Sequence, residues 1–369
     1  MIKTIRKVHL VAGARPNFMK VAPLFHALRR TDWCEPILVH TGQHSSPEMS
    51  EAFFADLELP SPHHHLGVTG GSHAQATGRI MIAYEALCQQ SRPDWVVVVG
   101  DVNSTVAATL AAKKLLLPVA HLEAGLRSFD RTMPEEINRV LTDAIADLLW
   151  TPSDDAVENL RREGVAEHRI VPVGNIMIDA FEMQRHRIAA DGMAERLGLA
   201  GGDFAVVTLH RPANVDHEEA LEPIVRALTR IAAHLPLVFP VHPRTEGQLR
   251  KFGLDKVLSA APGMRLLPPL GYLSFMNLVT QARCVMTDSG GIQEETTYLG
   301  IPCLTLRPNT ERPVTVTQGT NRLCSAADLE AVLDEVLAGS AMAHRRPDLW
   351  DGQTAGRVVA SLHDAMGCP

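Results

Sequence analysis

"GDVNSTVAATLAAKKLLLPVAHLEAGLRS" runs from Gly100 to Ser128. It follows the apolar run Trp95–Val99, carries helix-forming residues from Ser104 to Leu116, and enters a second apolar stretch at Val119–Glu123. Strand, helix and strand in this rhythm form a βαβ unit, and such units build parallel sheets. Each apolar run also leads into an acid, Asp101 and Glu123, followed by small residues and glycine. A helix cap or a salt bridge would account for one such acid. Doubly wound sheets bind ligands at the carboxyl ends of their strands, so two acids placed there point to proton transfer.

The same rhythm extends on both sides. Val8–Ala12, Ile37–Thr41 and Leu148–Thr151 read as strands, and Pro16–Arg30 as a helix with apolar spacing at Phe18, Met19, Ala22, Leu24, Phe25 and Leu28. Pro16 suits a first helical turn. The pattern then restarts. Ile170–Val173, Ala205–Leu209, Leu237–Val241, Arg265–Leu267, Cys284–Thr287 and Cys303–Leu306 read as strands, and Glu218–His234, Tyr272–Gln281 and Gly291–Leu299 as helices. The expected fold class is therefore α/β, with two Rossmann-like doubly wound domains facing a central cleft. Their expected limits are 1–173 and 174–350, with 351–369 carrying a last helix, about Thr354–Met366, that could return to the first domain.

Composition narrows the function. The chain has 369 residues, 46% hydrophobic and 21% charged, which is ordinary for a globular enzyme. A net charge of −7 provides no basic field for nucleic acid. No stretch approaches the roughly 18 apolar residues of a membrane span. The six cysteines are scattered without a CxxC pair and read as free thiols in a reducing cytoplasm. The triplet His63–His65 follows Pro60 and Pro62 and reads as an exposed loop, with no acid or cysteine spaced to complete a metal site. No metal is expected. No GxGxxG fingerprint and no Tyr-x-x-x-Lys occurs, so no nicotinamide cofactor is expected either.

Several short segments carry candidate chemistry. In "TDSGGIQEETTYLGIPCL", Thr287–Leu304, a strand ends at Asp288, Ser289-Gly290-Gly291 turns, and a helix opens. Backbone amides and the dipole at a helix start favour an anion such as a nucleotide diphosphate. Glu295, one turn in, is placed to reach ribose hydroxyls. In "GARPNFMK", Gly13–Lys20, the cations Arg15 and Lys20 bracket another helix start. In "MPEEINR", Met133–Arg139, Glu135 and Glu136 open a helix with Arg139 one turn on, where capping is an equally good account of the acids. "VTLHRPANVD", Val207–Asp216, ends a strand on His210-Arg211, and a cleft histidine can move protons or donate to a phosphate.

Taken in order, GARPNFMK, GD at 100–101, HLEAGLRS, PEEINR, TLHRPANVD and DSGGIQEE resemble the non-hydrolysing UDP-N-acetylglucosamine 2-epimerases, from Gly13 to Arg322. Each motif alone is weak, whereas the ordered set is specific. The resemblance implies a two-Rossmann-domain fold of GT-B type and interconversion of UDP-GlcNAc and UDP-ManNAc. Matched by position, Asp101, Glu123, Glu135 and His210 are the implied catalytic residues. Arg15, Lys20, Arg139 and Arg211 are implied at the substrate. Ser289, Gly290 and Gly291 match the diphosphate turn, Glu295 the ribose acid, Phe275 an aromatic near uracil, and Arg312 a further nucleotide cation. Gln43, His44, Gln75, Arg211 and His242 resemble parts of a second, activating UDP-GlcNAc site. Ser46 and Ala74 depart from that site's usual Gln and Arg, and Ala213 departs from a usual Glu. A cytoplasmic homodimer is implied. Epimerases of related UDP-2-acetamido sugars or uronates share the framework. A glycosyltransferase of the same fold would share the nucleotide site without needing the three acids.

Overall fold

Val96–Val99 is apolar at every position and fully buried. A run without polar alternation suits a parallel strand covered on both faces. In a computed structural model of the chain, which describes residues 5–42, 54, 56–338 and 345–367, it forms the middle of a seven-stranded sheet. That sheet belongs to a compact unit made of Met1–Met183 and Asp348–Pro369. Its strands are β1 (Arg6–Ala12), β2 (Cys34–His40), β3 (His64–His65), β4 (Trp95–Val99), β5 (Val119–Leu122), β6 (Leu148–Thr151) and β7 (Ile170–Pro172). They lie in the order β3-β2-β1-β4-β5-β6-β7, and every pairing is parallel. The chain winds outward from β1, then returns beside it as β4. The carboxyl ends of β1 and β4 are thus the switch point at which such sheets bind ligands.

Helices α1 (Arg15–Arg29), α2 (His73–Gln90), α3 (Asn103–Lys114), α4 (Pro134–Ile145), α5 (Asp154–Arg162) and α6 (Ile176–Ala190) connect and follow these strands. Prolines in the first turns of α1 and α4 cost no hydrogen bond there. Helix α2 starts with a capping box: Ser72 Oγ accepts from the Gln75 amide, and Gln75 Oε1 accepts from the Ser72 amide.

The second unit spans Gln184–Pro347. Its six parallel strands are β8 (Ala205–Thr208), β9 (Leu237–Pro240), β10 (Met264–Leu267), β11 (Cys284–Thr287), β12 (Cys303–Leu306) and β13 (Asn321–Cys324), in the order β10-β9-β8-β11-β12-β13. The reversal falls between β8 and β11, where His210 and Ser289 emerge. The helices are α7 (Met193–Arg196), α8 (Pro212–Val215), α9 (Glu218–Ala232), α10 (Pro243–Lys251), α11 (Leu254–Ala260), α12 (Tyr272–Gln281), α13 (Gly290–Leu299), α14 (Val314–Thr317) and α15 (Leu329–Leu337). The final helix, α16 (Thr354–Ala365), packs on α1 of the first unit.

Two sequence expectations need correction. Ile170–Pro172 is the edge of the first sheet rather than the start of the second group of strands. His64–His65 is not free loop: it pairs with Val39 and His40, and the rings of His40 and His65 stack with centroids 4.6 Å apart. Among the described residues no helix is long and apolar enough to cross a membrane. Cys34, Cys88, Cys284, Cys303 and Cys324 are buried and form no disulfide among the described residues.

Candidate active site

In the first unit, β4 ends at Val99, and Gly100 turns the chain with φ of +67°. Three successive carbonyls, from the strand's last residue onward, are each held by a side chain. Val99 O accepts from Asn17 Nδ2 at 3.1 Å and Thr105 Oγ1 at 2.9 Å, Gly100 O from His121 Nε2 at 2.8 Å, and Asp101 O from Asn138 Nδ2 at 2.9 Å. Asn17 Oδ1 also accepts the amides of Gly13 and Ala14, tying the end of β1 to the end of β4. This segment therefore has little freedom, and Asp101 is presented from a fixed backbone.

The two strand-end acids each meet a cation. Asp101 Oδ2 lies 2.7 Å from Arg139 Nη1, and Asp101 keeps 31% of its side chain exposed. Glu123 Oε2 pairs with Lys20 Nζ, and both groups are buried. Glu123 Oε1 is buried and has no hydrogen-bond partner among the described residues. Glu123 has φ of +71°, the left-handed region that a non-glycine residue occupies at a cost of order 1–3 kcal/mol. Strain of this kind combined with an unmet buried acceptor is characteristic of a functional position.

Arg139 is buried between two carboxylates, Asp101 and Glu136, with Glu136 Oε2 3.0 Å from Arg139 Nε. Glu136 itself accepts the amides of Ser128 and Phe129 at 3.0 and 2.9 Å, so it anchors the loop after Glu123. Glu135 is half-buried in the first turn of α4, one turn before Arg139. The paired acids at the helix start thus separate: Glu136 is structural, and Glu135 is left for other contacts.

In the second unit the strand-end acid is Asp288. It is fully buried and accepts the His210 amide at 3.1 Å, the Arg211 amide at 2.9 Å and Asn214 Nδ2 at 3.1 Å, and lies 3.0 Å from His210 Nδ1. Burial alone would raise its pKa, but His210 and the two amides hold the carboxyl below its usual range. His210 is thereby locked through one ring nitrogen. Its ring lies 5.7 Å from that of His242, and His242 Nδ1 caps α10 by accepting the Arg244 amide at 3.2 Å. Partial burial and the neighbouring His210 push the His242 pKa down.

Ser289 is the N-cap residue of α13 and Gly290 its first helical residue. A Cβ on Gly290 would come within 2.6 Å of Arg312 Nη1 and Glu311 Oε1, whereas one on Gly291 would meet nothing within 4 Å. Arg312 Nε lies 2.8 Å from Glu294, and its Nη1 is 2.5 Å from Glu311. Glu311 also meets Arg307 at 2.8 Å and Arg211 at 3.7 Å. Its burial opposes ionisation, yet Arg312, Arg307 and Arg211 together hold it well below the carboxylate range. The start of α13 offers free helix amides and the positive end of its dipole to an anion, beside arginines that are themselves paired with Glu294 and Glu311.

Glu295 is fully buried and accepts Tyr272 Oη at 2.7 Å. Burial raises its pKa to about 8, against the opposing hydrogen bond from Tyr272. Phe275 stands one turn beyond Tyr272 on α12 and is half-buried.

The predicted residues thus fall into two groups, one in each unit. Lys20, Asp101, Glu123 and Arg139 cluster at the first sheet's strand ends, and Glu135 opens α4 one turn before Arg139. His210, Arg211, His242, Ser289, Gly290, Gly291, Glu295, Phe275 and Arg312 belong to the second unit. Arg15 opens α1, but its side chain lies outside the described ones, and Gln43 and His44 lie outside the described residues altogether. Gln75 is exposed and engaged in the cap of α2. Asn17, His121, Asp143, Asp288 and Glu311 carry no role in the sequence reading, which names Glu136 only as one of two acids at a helix start. Of these, only Asp288, a third acid ending an apolar strand, repeats a readable signal.

Comparison with known proteins identifies the family and the fold. The profile of the UDP-N-acetylglucosamine 2-epimerase family matches residues 26–363. The UDP-N-acetylglucosamine 2-epimerase of Methanocaldococcus jannaschii is 43% identical over 325 residues, 86% of this chain and 88% of that one. The UDP-2,3-diacetamido-2,3-dideoxy-D-glucuronate 2-epimerase of Pseudomonas aeruginosa is 42% identical over 87% of this chain and 89% of its own. The Escherichia coli K12 UDP-N-acetylglucosamine 2-epimerase is 34% identical over 96% and 98%. The crystal structure of the M. jannaschii enzyme with UDP-GlcNAc and UDP superposes with a TM-score of 0.88 at 39% identity, covering 97% of this chain and 99% of that one. The chain belongs to the UDP-N-acetylglucosamine 2-epimerase family, and its fold is the two-domain α/β fold of those enzymes.

Proposed function

We propose that this protein is an isomerase that interconverts UDP-GlcNAc and UDP-ManNAc by elimination and re-addition of UDP. The carrying observation is the pair of strand-end acids in the first unit, each on a buried cation, one strained and with an unmet oxygen. The proton at C2 of an acetamido sugar is not acidic enough for direct removal. In the proposed route the C1–O bond to the diphosphate breaks, its electron pair leaves with UDP, and the C2 proton passes to a base. The product is 2-acetamidoglucal with a C1–C2 double bond. A proton then arrives at C2 from the opposite face as a UDP oxygen re-adds to C1. Asp101, Glu123, Glu135 and His210 are the assigned proton carriers, since inversion needs groups on both faces. The α13 start, with Ser289, Gly290, Gly291 and Arg312, is assigned to the leaving diphosphate. Glu295 is assigned to the ribose and Phe275 to the uracil. Arg15, Lys20, Arg139 and Arg211 complete the substrate set, and Gln75 and His242 remain candidates for an activating site.

The test is proton NMR of the protein with UDP-GlcNAc in deuterated water, without nicotinamide or metal. The expected result is UDP-ManNAc with deuterium at C2. Turnover that retains the C2 hydrogen would exclude the elimination route. Asp101→Asn and Glu123→Gln should each lower the rate by about 10²–10⁴. A second reading has its own support: the diacetamido-glucuronate epimerase relative is nearly as similar as the UDP-GlcNAc one. Running both sugars in the same assay separates them. We also infer a cytoplasmic homodimer. The reduced buried thiols support the compartment, and exposed Ile137 and Leu141, one turn apart on α4, support a partner surface. Light scattering tests the dimer.

A further inference from the structure

Three buried groups beneath the first unit's acids, with exposed Glu163 at their outer end, form one chain. Glu163 binds Arg127 through two contacts of 2.7 Å. Arg127 Nη1 lies 2.7 Å from Asp143 Oδ2, and Asp143 Oδ1 lies 2.6 Å from His121 Nδ1. His121 Nε2 reaches Gly100 O at 2.8 Å. A carbonyl can only accept, so Nε2 carries a hydrogen and is the donor. His121 and Asp143 are completely buried, and Arg127 nearly so. None of these three groups reaches the surface, so the proton-transfer scheme above does not use them.

Asp143 has a second hold. Its Oδ2 accepts the Gly125 amide at 3.0 Å, in the turn that follows Glu123. That turn has no room to shift: a Cβ on Gly125 would come within 2.3 Å of Ala156 O. Gly125 O in turn accepts Asn159 Nδ2 at 2.9 Å. One carboxylate therefore grips the backbone beside both strand-end acids. Through His121 it fixes the Gly100 carbonyl, one residue from Asp101. Through the Gly125 amide it fixes the turn that holds Glu123 at φ of +71°.

We propose that Asp143 and His121 are positioning residues that set Asp101 and Glu123 relative to each other, with the His121 Nε2–Gly100 carbonyl bond as the active link. This rests on the reading of Asp101 and Glu123 as proton carriers. Two acids serving one C2 centre from different strands must hold their spacing closely, and a misplacement of about 1 Å costs about a hundredfold in rate. Burial opposes ionisation of Asp143, but His121, Arg127 and the Gly125 amide outweigh it and hold its pKa below the ordinary value, so it remains the acceptor that the arrangement needs.

The test uses two near-isosteric replacements that divide the imidazole. Gln places its amide where Nε2 was, and Asn places its amide where Nδ1 was. His121→Gln keeps the donor to Gly100 and loses Asp143. His121→Asn keeps Asp143 and loses Gly100. Expected for His121→Asn is a fall in kcat of about tenfold or more with KM for UDP-GlcNAc unchanged, while His121→Gln stays within about threefold of the wild type. Equal losses in the two variants would mean that the ring only fills space, and would overturn the proposal. Asp143→Asn is expected to lower kcat like His121→Asn. If that variant does not fold, the His121 pair decides alone, because both leave the Asp143–Arg127 ion pair in place. A readout independent of turnover is the carbonyl ¹³C shift of Gly100, selected by labelling Gly at C′ and Asp at N. The sequence holds two Gly–Asp pairs, at 100–101 and 202–203. Only the Gly100 signal should move, and it should move more in His121→Asn than in His121→Gln. An unmoved signal in His121→Asn would overturn the link even if the wild type proved to act on another sugar. No C2 exchange in the wild type on any UDP-acetamido sugar would overturn the epimerase reading instead.

Discussion

Glu295 is a buried acid whose chemistry departs far from its ordinary behaviour. Buried beneath Tyr272, it has a folded pKa of about 8 against an ordinary 4.5. The folded state therefore holds a proton that the unfolded chain gives up above pH 4.5. Stability tied to this group is complete below pH 4.5 and is lost progressively as pH rises toward 8, by roughly 5 kcal/mol in total. Glu295→Gln cannot ionise, so its unfolding temperature should fall less than that of the wild type between pH 5 and 8, as read by calorimetry. Parallel curves for the two proteins would refute the assignment. Residues like Asp101, Glu123 and Asp288 are legible in sequence, because an apolar strand that ends on an acid is a local signal, and Glu295 is legible from its place one turn into the helix that such a strand feeds. His121, Asp143, Glu311 and Asn17 are not. Their meaning lies in partners such as Gly100 and Val99, which only the folded sheet brings near.

The start of α13 carries two neighbouring glycines with different reasons. Sequence reading took Ser289-Gly290-Gly291 as one phosphate-accepting turn. Gly290 in fact leaves room for the Arg312–Glu311 pair, and Gly291 faces open space. Gly290→Ala should therefore disturb that ion pair, lower the melting temperature of the second unit and weaken UDP binding together. Gly291→Ala meets no protein atom and gains helix propensity of up to about 1 kcal/mol. It should leave stability unchanged or improved, and weaken UDP binding only if the diphosphate approaches the backbone there. Calorimetric melting and UDP titration of both variants distinguish these outcomes; equal melting temperatures for the two would refute the division. Elements were legible where an unbroken apolar run marked a buried strand, as in β4 and β11, or helical spacing was clear, as in α12. Helix α2 is absent from the sequence reading although its buried residues, Ala76, Ile80, Tyr84, Leu87 and Cys88, recur every three to four positions, because Met81, Ile82 and Ala83 add apolar residues off that stripe. Strand β13 escaped because Asn321 and Arg322 interrupt its apolar character. In the fold Asn321 is buried and bonded to Thr305, Gln293 and Thr315, so its polarity is met by partners instead of water.

At the scale of the whole molecule, the chain leaves its first unit at α6 and re-enters it at Asp348. The return is secured by specific bonds. Trp350 is 1% exposed and donates to Pro152 O at 2.9 Å, and Trp150 Nε1 donates to Ser361 Oγ at 3.0 Å. Asp179 accepts the amides of Thr354 and Ala355 at 3.1 and 2.8 Å, and so caps α16 from α6. Arg357 binds the carbonyl of Val173 at 3.0 Å. An amphipathic C-terminal helix is visible in sequence, but its address is not, since Thr354 and Asp179 stand 175 positions apart. The consequence is testable because the two units have separate cores. Trp350→Ala removes a buried indole and its hydrogen bond from the first unit alone, a loss of about 3–5 kcal/mol. Two calorimetric transitions are expected, since chains of more than one domain need not unfold in a single step. The transition assigned to the first unit should fall, and the one raised by added UDP should stay in place. Equal shifts in both transitions would mean that the C-terminal return stabilises the molecule as a whole. The expected pattern would make the last turn of chain part of the support beneath Asp101 and Glu123, and Trp350→Ala should then lower turnover at temperatures where UDP is still bound.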